Sequence, residues 1–305
     1  DLHSFPTRRS SDLHIAEIND VQPVPDNTNP LFIQEGNPDL LPTRFHSFYL
    51  NFFKNVTAKS LTYSAYMNGS VRDNAVTRSR TVNADGTQVT KPVNIDGQHN
   101  FFTNFNINKQ YKLNKNFQFS FGGGYNVNYN RNFLIVNARR GFVKTFGYGP
   151  QANMNLNWKD KIEYSMRYNF SANQSTYETP DFSDIDVKSH IVNGELVIRW
   201  PKNIVWETSL NYRYNSQAAP GIQKSVALLN GGVIFLFLKN KGNLKLSIFD
   251  LLDQNVNVFR QTSENAIIDR QINIVTRYYM LTFTYDIRSF SAGNVGGSKN
   301  GFFRF

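Results

Sequence analysis

The sequence predicts an all-β fold, an antiparallel transmembrane β-barrel wall, and three observations carry that prediction. The first is alternation. In NFQFSFGGGYNVNYN, Phe117, Phe119, Phe121, Tyr125, Val127 and Tyr129 share one parity, and Gln118, Ser120, Gly122, Gly124, Asn126 and Asn128 hold the other. A period of two places each set on its own face of a strand. The second is length: many of the alternating runs are well beyond the roughly five or six residues usual in soluble sheets. The third is rhythm, because short and long connections alternate along the chain. Lipid offers the backbone no hydrogen-bond partner, so a sheet can span it only as a closed ladder. Long antiparallel strands with short turns at one end and long loops at the other describe such a barrel.

Taken in order, strands are expected at 44–54, 58–70, 98–111, 116–129, 146–158, 161–174, 188–200, 203–215, 224–239, 242–252 and 277–288, about eleven in all. Ala152, Met154, Leu156 and Trp158 alternate with Asn153, Asn155 and Asn157. Tyr164, Met166 and Tyr168 alternate with Glu163, Ser165 and Arg167, and Leu210, Tyr212 and Tyr214 with Ser209, Asn211 and Arg213. Near the end, Leu281, Phe283 and Tyr285 alternate with Met280, Thr282 and Thr284. The lipid-facing set therefore includes Phe117, Phe119, Phe121, Tyr164, Met166, Tyr168, Leu281, Phe283 and Tyr285. Trp158, Trp200, Trp206 and Tyr214 stand at strand ends and suit interfacial girdles. Longer links are expected at 71–97, 131–145, 176–187, 216–223 and 255–276, the first with a hairpin turning at Asp85–Gly86.

Composition narrows the chemistry. Mean hydropathy is -0.45, so bulk composition reads as soluble, yet aromatics make up 14% of the residues, which disagrees with that reading. The longest apolar run, Val233 to Leu238, is far short of the ~18 residues a membrane helix needs. There is no cysteine, so no disulfide, thiolate metal site or cysteine nucleophile is available. The net charge is +10, with cations such as Lys109, Lys112, Lys115, Arg131, Arg139 and Arg140 scattered along the chain. That scatter reads as solvated loops and turns and argues against nucleic acid as a partner.

No catalytic constellation stands out, and the chain reads as a non-enzyme with no cofactor. His3, His14, His46, His99 and His190 show no metal-ligand spacing. Asp181, Asp184 and Asp186 in DFSDID could offer oxygens to Ca²⁺, but they lack the full loop spacing, and a solvated acidic loop is the favoured reading. Gly122 and Gly124 lie inside an alternating strand with no following Lys-Ser/Thr, so relief of crowding on the inner face is preferred to a phosphate loop. Arg167, Arg199 and Arg213 share the inner parity with Glu163, Glu195 and Glu207, as paired charges on a wet wall would. Phe133, Tyr177, Phe182 and Phe259 fall in the expected long links and are the candidates for stacking on a ligand.

Three segments resemble a known family. NPLFIQEGNPDLLPTRFHSFYLNF resembles a stretch of TonB-dependent outer-membrane receptors and of the related outer-membrane β-barrel family, in which a G-N-P-x-L-x-P element precedes a descending strand. Gly36, Asn37, Pro38, Leu40 and Pro42 fit it, while Leu41 stands where a polar residue is common. LKLSIFDLLDQN is similar to the penultimate strand of that family, and RYYMLTFTYDIRSF to the closing strand. The resemblance implies the outer membrane of a Gram-negative bacterium and a 22-stranded barrel filled by an N-terminal plug. It also implies partners: the outer-membrane lipid, the plug and remaining barrel half that this chain lacks, an inner-membrane energy-transducing complex acting through that part, and a surface lipoprotein.

The domain reading is accordingly 1–13 a leader foreign to the fold, 14–43 an extracellular loop leading into the wall, 44–290 the C-terminal part of the barrel, and 291–305 a Gly-rich tail. DLHSFPTRRSSDL lacks the apolar core of a signal peptide, and all of it can be back-translated into a short-read sequencing adapter. An odd strand count and the G-N-P loop both expect a first wall strand that descends from outside. Two other functions fit the composition, a passive porin or structural barrel and a soluble carbohydrate-binding β-domain.

Overall fold

The structure, a computed structural model, describes residues 2–4, 7–114, 116–180, 182–218, 223–255, 258–262, 267–271 and 275–286. In chain order its strands are β1 (Leu2–Ser4), β2 (Thr7–His14), β3 (Phe32–Gln34), β4 (Thr43–Val56), β5 (Leu61–Asp73), β6 (Ala75–Val82), β7 (Gln88–Ile95), β8 (Gln98–Asn114) and β9 (Phe117–Val136). They continue as β10 (Arg139–Trp158), β11 (Ile162–Tyr177), β12 (Ile185–Ile198), β13 (Ile204–Asn215), β14 (Ser225–Phe237), β15 (Gly242–Phe249), β16 (Val258–Thr262), β17 (Ile267–Gln271) and β18 (Tyr278–Tyr285). A four-residue helix α1 (Ile18–Val21) precedes β3. No helix among the described residues is long and apolar enough to cross a membrane.

The wall runs β4-β5-β8-β9-β10-β11-β12-β13-β14-β15-β18, each neighbour antiparallel to the next. Its eleven strands are those the alternation predicts. Among the described residues β4 and β18 do not pair, so the wall stays open; β1 and β2 pair with the outer edge of β4. The expected hairpin in 71–97 is β6–β7, with Gly86 at φ +85 in its turn.

The link expected at 131–145 is not a loop. β9 and β10 continue through it and meet in a tight turn at Asn137 and Ala138, both left-handed (φ 49 and 63). Such a pair matches the twist of a two-residue hairpin. Alternation gives way there to the apolar run Phe133, Leu134, Ile135 and Val136 because both faces are covered: adjacent Leu134 and Ile135 are 7% and 3% exposed. Ala75 and Val143 are also buried at the long-loop end, where β6 lies alongside β9 through Ser79↔Ile135 and Arg80↔Val136. Phe133, expected on a loop, is thus a strand residue. The link expected at 255–276 contains β16–β17, and Phe259 lies in β16, with its side chain outside the described residues, as are Asp1 and the tail 291–305.

Along the wall the usual inside–outside rule is reversed. The register gathers Phe119, Leu156 and Tyr164 on one face, then Phe121, Met154 and Met166, then Leu246 and Leu281. All nine residues expected to face lipid fall on this apolar face. It is the open one, with Phe121, Leu281 and Phe283 51%, 67% and 64% exposed. The opposite, polar face holds Ser247 and Glu207, 1% and 3% exposed. A sheet that shelters carboxylate and hydroxyl while presenting Phe and Leu is made for an apolar solvent outside.

Candidate functional site

On the polar face the wall is carpeted with amides laid around glycine. A Cβ at Gly122 would stand 2.6 Å from Asn108 Nδ2 and 2.7 Å from Asn153 Oδ1, so the asparagines of β8 and β10 lean across the strand between them. Gly124 is overhung in the same way by Asn106 and Gln151, whose Nε2 donates to Asn106 Oδ1 at 2.6 Å. Asn126 Nδ2 donates to the Gly149 carbonyl at 2.9 Å, and Asn155 Nδ2 to Ser120 Oγ at 3.2 Å. Glycine here makes room for neighbouring side chains, as the alternation suggests. The result is a flat, neutral surface of donors and acceptors.

Charge enters this face in pairs. Arg199 meets Glu163 at 3.1 Å, while Glu207 takes Lys245 at 2.8 Å rather than an arginine of its own parity group. Sequence reasoning missed Lys245, whose signal is its place on the inner parity of LKLSIF. With Glu207 3% and Lys245 15% exposed in their side chains, this is a buried pair, and removing one partner leaves a stranded charge. A hollow of about 400 Å³ opens between Gln118, Ser120, Asn155, Asn157 and Glu195 near the short-turn end.

The long-loop end is built by side chains binding backbone. Asn37 N donates to the Asp20 carbonyl at 2.6 Å, Asn37 Nδ2 to the Pro92 carbonyl at 3.0 Å, and Asn37 Oδ1 accepts from Asp39 N at 3.1 Å. A Cβ on Gly36 would meet the Gln22 carbonyl oxygen at 1.9 Å, so only glycine fits. Asn94 holds the next stretch through Leu41 N (2.7 Å) and Leu41 O (2.9 Å). Within the stretch that holds Gly36, Asn37, Pro38, Leu40 and Pro42, it is Asn37 and Leu41 that tie residues 14–43 to β7. On the neighbouring hairpin the Arg131 guanidinium lies 3.4 Å from the Phe142 ring centre and donates to the Gly97 carbonyl at 3.1 Å. Phe133 packs edge-on against Phe142 at 4.8 Å, and Tyr177 stacks on Phe182 at 5.5 Å.

The acidic loop is engaged otherwise. Asp184 Oδ1 accepts from Tyr177 N at 3.0 Å, and Asp186 meets Lys188 at 3.4 Å, while Asp181 lies outside the described residues. No cluster of potential metal ligands occurs among the described residues. Glu178, which bridges Lys144 at 2.8 Å and accepts from Phe142 N at 3.1 Å, has its carboxyl held below the ordinary glutamate range by those two bonds, Lys144 first.

Two aromatic rows edge the apolar face. Near the long loops, Tyr125, Tyr148, Phe170, His190 and Tyr214 succeed one another from β9 to β13 at ring separations of 6.3, 5.9, 4.9 and 5.5 Å. Near the short turns stand Tyr111, Trp158 and Trp206, the last donating its Nε1 to the Trp200 carbonyl at 3.1 Å. Trp158 and Tyr148 terminate one stretch of β10. At ~3.4 Å per residue and a tilt near 40°, that stretch is roughly 26 Å high, the height of the apolar band of an outer-membrane barrel. A model of the outer membrane protein beta-barrel family matches residues 13–147 and 134–285. The chain belongs to that family.

As a member of the outer membrane protein beta-barrel family, the chain is an outer-membrane barrel protein, and its apolar face is the lipid face. No curated protein matches it. In this barrel part of the positive charge that looks scattered in the linear sequence is gathered by topology. The five short connections, 57–60, 115–116, 159–161, 199–203 and 238–241, each carry at least one Lys or Arg, and their single acid is Asp160. Asp160 accepts from Asn157 Nδ2 at 3.0 Å, and Arg199 is taken by Glu163. The remaining positive charge lies along one rim.

Proposed function

We propose that this chain is the wall of a TonB-dependent receptor or transporter in a Gram-negative outer membrane, which takes up a large or scarce ligand. The observation that carries the reading is the neutral amide carpet around Gly122 and Gly124. Small barrels fill their interiors with side chains, whereas this polar face is glycine overlaid by level amides, the surface a wide barrel presents to water or to a plug. The order of the G-N-P joint, the penultimate strand and the closing strand supports the receptor over the porin. In this reading the barrel has about 22 strands, the long loops face outward and the short turns face the periplasm. A plug and an inner-membrane energy-transducing complex act through parts outside this chain, and a surface lipoprotein covers the loops. Ligand contacts fall on the β6–β7 hairpin, the β9–β10 tip and the Tyr177–Phe182 pair.

Planar-bilayer recording of the full-length protein tests the proposal. A plugged receptor gives little steady conductance until the plug is deleted. Sustained conductance of the intact protein supports the passive porin and overturns the receptor.

A further inference from the structure

We infer that the short-turn rim binds the headgroups of anionic glycerophospholipids, and so holds the barrel in the leaflet on that side. Lys59, Lys159, Lys161, Lys202, Lys239 and Lys241 are all exposed there, drawn from four of the five short connections. Lys115 adds a cation to the remaining one in the sequence. Left-handed backbone at Lys159, Asp160, Asn203, Lys239 and Asn240 makes these turns tight, which keeps their side chains close to the wall.

What points to lipid, and not to a soluble acidic partner, is where the ammonium groups sit. Lys159 Nζ lies 5.7 Å from the Trp158 ring centre, and Lys109 Nζ lies 5.2 Å from that of Tyr111. Both rings belong to the aromatic row that marks the edge of the apolar band, and girdle aromatics sit at headgroup depth. Lys109 is on the lipid-facing parity of β8, opposite Leu61 and Phe121, yet its ammonium reaches the Lys59 carbonyl in the β4–β5 turn. A lysine stem laid along apolar surface with its charge carried to the edge is snorkelling, and the edge it reaches is the phosphate layer. Basic side chains within a Debye length of an anionic lipid surface are attracted to it additively.

The opposite end lacks this excess. Carboxylates are interspersed with its cations, and four of these are paired, Arg78–Asp20, Lys144–Glu178, Lys188–Asp186 and Arg277–Asp253. The headgroup inference takes its leaflet from the orientation proposed above, but the lipid chemistry follows from the rim itself.

The test is native mass spectrometry of the full-length protein, purified from outer membranes in neutral detergent and titrated with phosphatidylglycerol, phosphatidylethanolamine or lipid A. Phosphatidylglycerol should be retained in preference to phosphatidylethanolamine. Retention should fall roughly tenfold or more when Lys59, Lys109, Lys159, Lys161, Lys202 and Lys239 are changed to Gln. The same six positions changed to Arg should keep it, and Arg139→Gln with Arg140→Gln should leave it unchanged. Heat-modifiable migration of each variant confirms that its barrel is folded. If the Gln set fails that check, the Arg set and the salt dependence of phosphatidylglycerol retention decide. Equal retention of both phospholipids, loss in the Arg set, preference for lipid A or indifference to salt would each overturn the inference. None of these readouts depends on plug or conductance, so this inference can fail while the receptor proposal stands.

Discussion

Gly36 shows how much one position can hold. The Gln22 carbonyl oxygen occupies the place its Cβ would take, so Gly36→Ala must push the Gln22 backbone away from the Gly36–Asn37 stretch that binds Pro92. Urea unfolding in micelles should show a loss of about 1–3 kcal/mol, the usual cost of forcing extra volume into a filled site. Glu178 offers a pH test at the same end. Its carboxyl is lowered by bonds from Lys144 and Phe142 N, so the stabilisation it provides is complete above the ordinary glutamate range. That stabilisation is lost as the pH falls through the depressed value. A carbon-detected titration of Glu178 should give a midpoint below that of an unperturbed glutamate, and Lys144→Met should raise it. The G-N-P letters were visible in the sequence, but their clasp on Asp20 and Pro92 was not, since Pro92 lies on another strand.

At the scale of elements, period-two patterning decides the wall. Phe121, the fifth residue of β9, lies on the apolar face, while Gln118 on the same strand lies on the polar face. Phe121→Arg should therefore cost about 2–4 kcal/mol in vesicle-based folding titrations, and Gln118→Arg much less. The Glu207–Lys245 pair links β13 to β15 across β14. Lys245→Met should cost about 3–5 kcal/mol by stranding Glu207, and adding Glu207→Gln should restore most of it. All eleven wall strands were legible because each has one face in lipid and one in a polar lumen. The pattern failed at 131–145 for the same reason: β9 runs there beyond the lipid-and-lumen boundary, Leu134 and Ile135 are both buried, and alternation lost its meaning.

For the whole molecule the governing fact is a solvent boundary on the outside. With Leu281, Phe283 and Phe235 exposed on one continuous face, the protein should stay monodisperse in detergent and aggregate when detergent is removed, as light scattering would report. Charge belongs to this scale as well. Lys59, Lys159 and Lys239 are far apart in the chain and share a rim only because every second connection returns to the same end.

By itself the sequence determined the fold class, the wall strands and their register parity. These follow from alternation, a local property that backbone geometry converts directly into faces. Only the tertiary structure decided which residues are buried at the long-loop end, the Glu207–Lys245 pairing, the clasp around Asn37 and the basic rim. Each of those joins residues from strands remote in sequence, and it is the ladder's closing of neighbours, which no local period encodes, that brings them together.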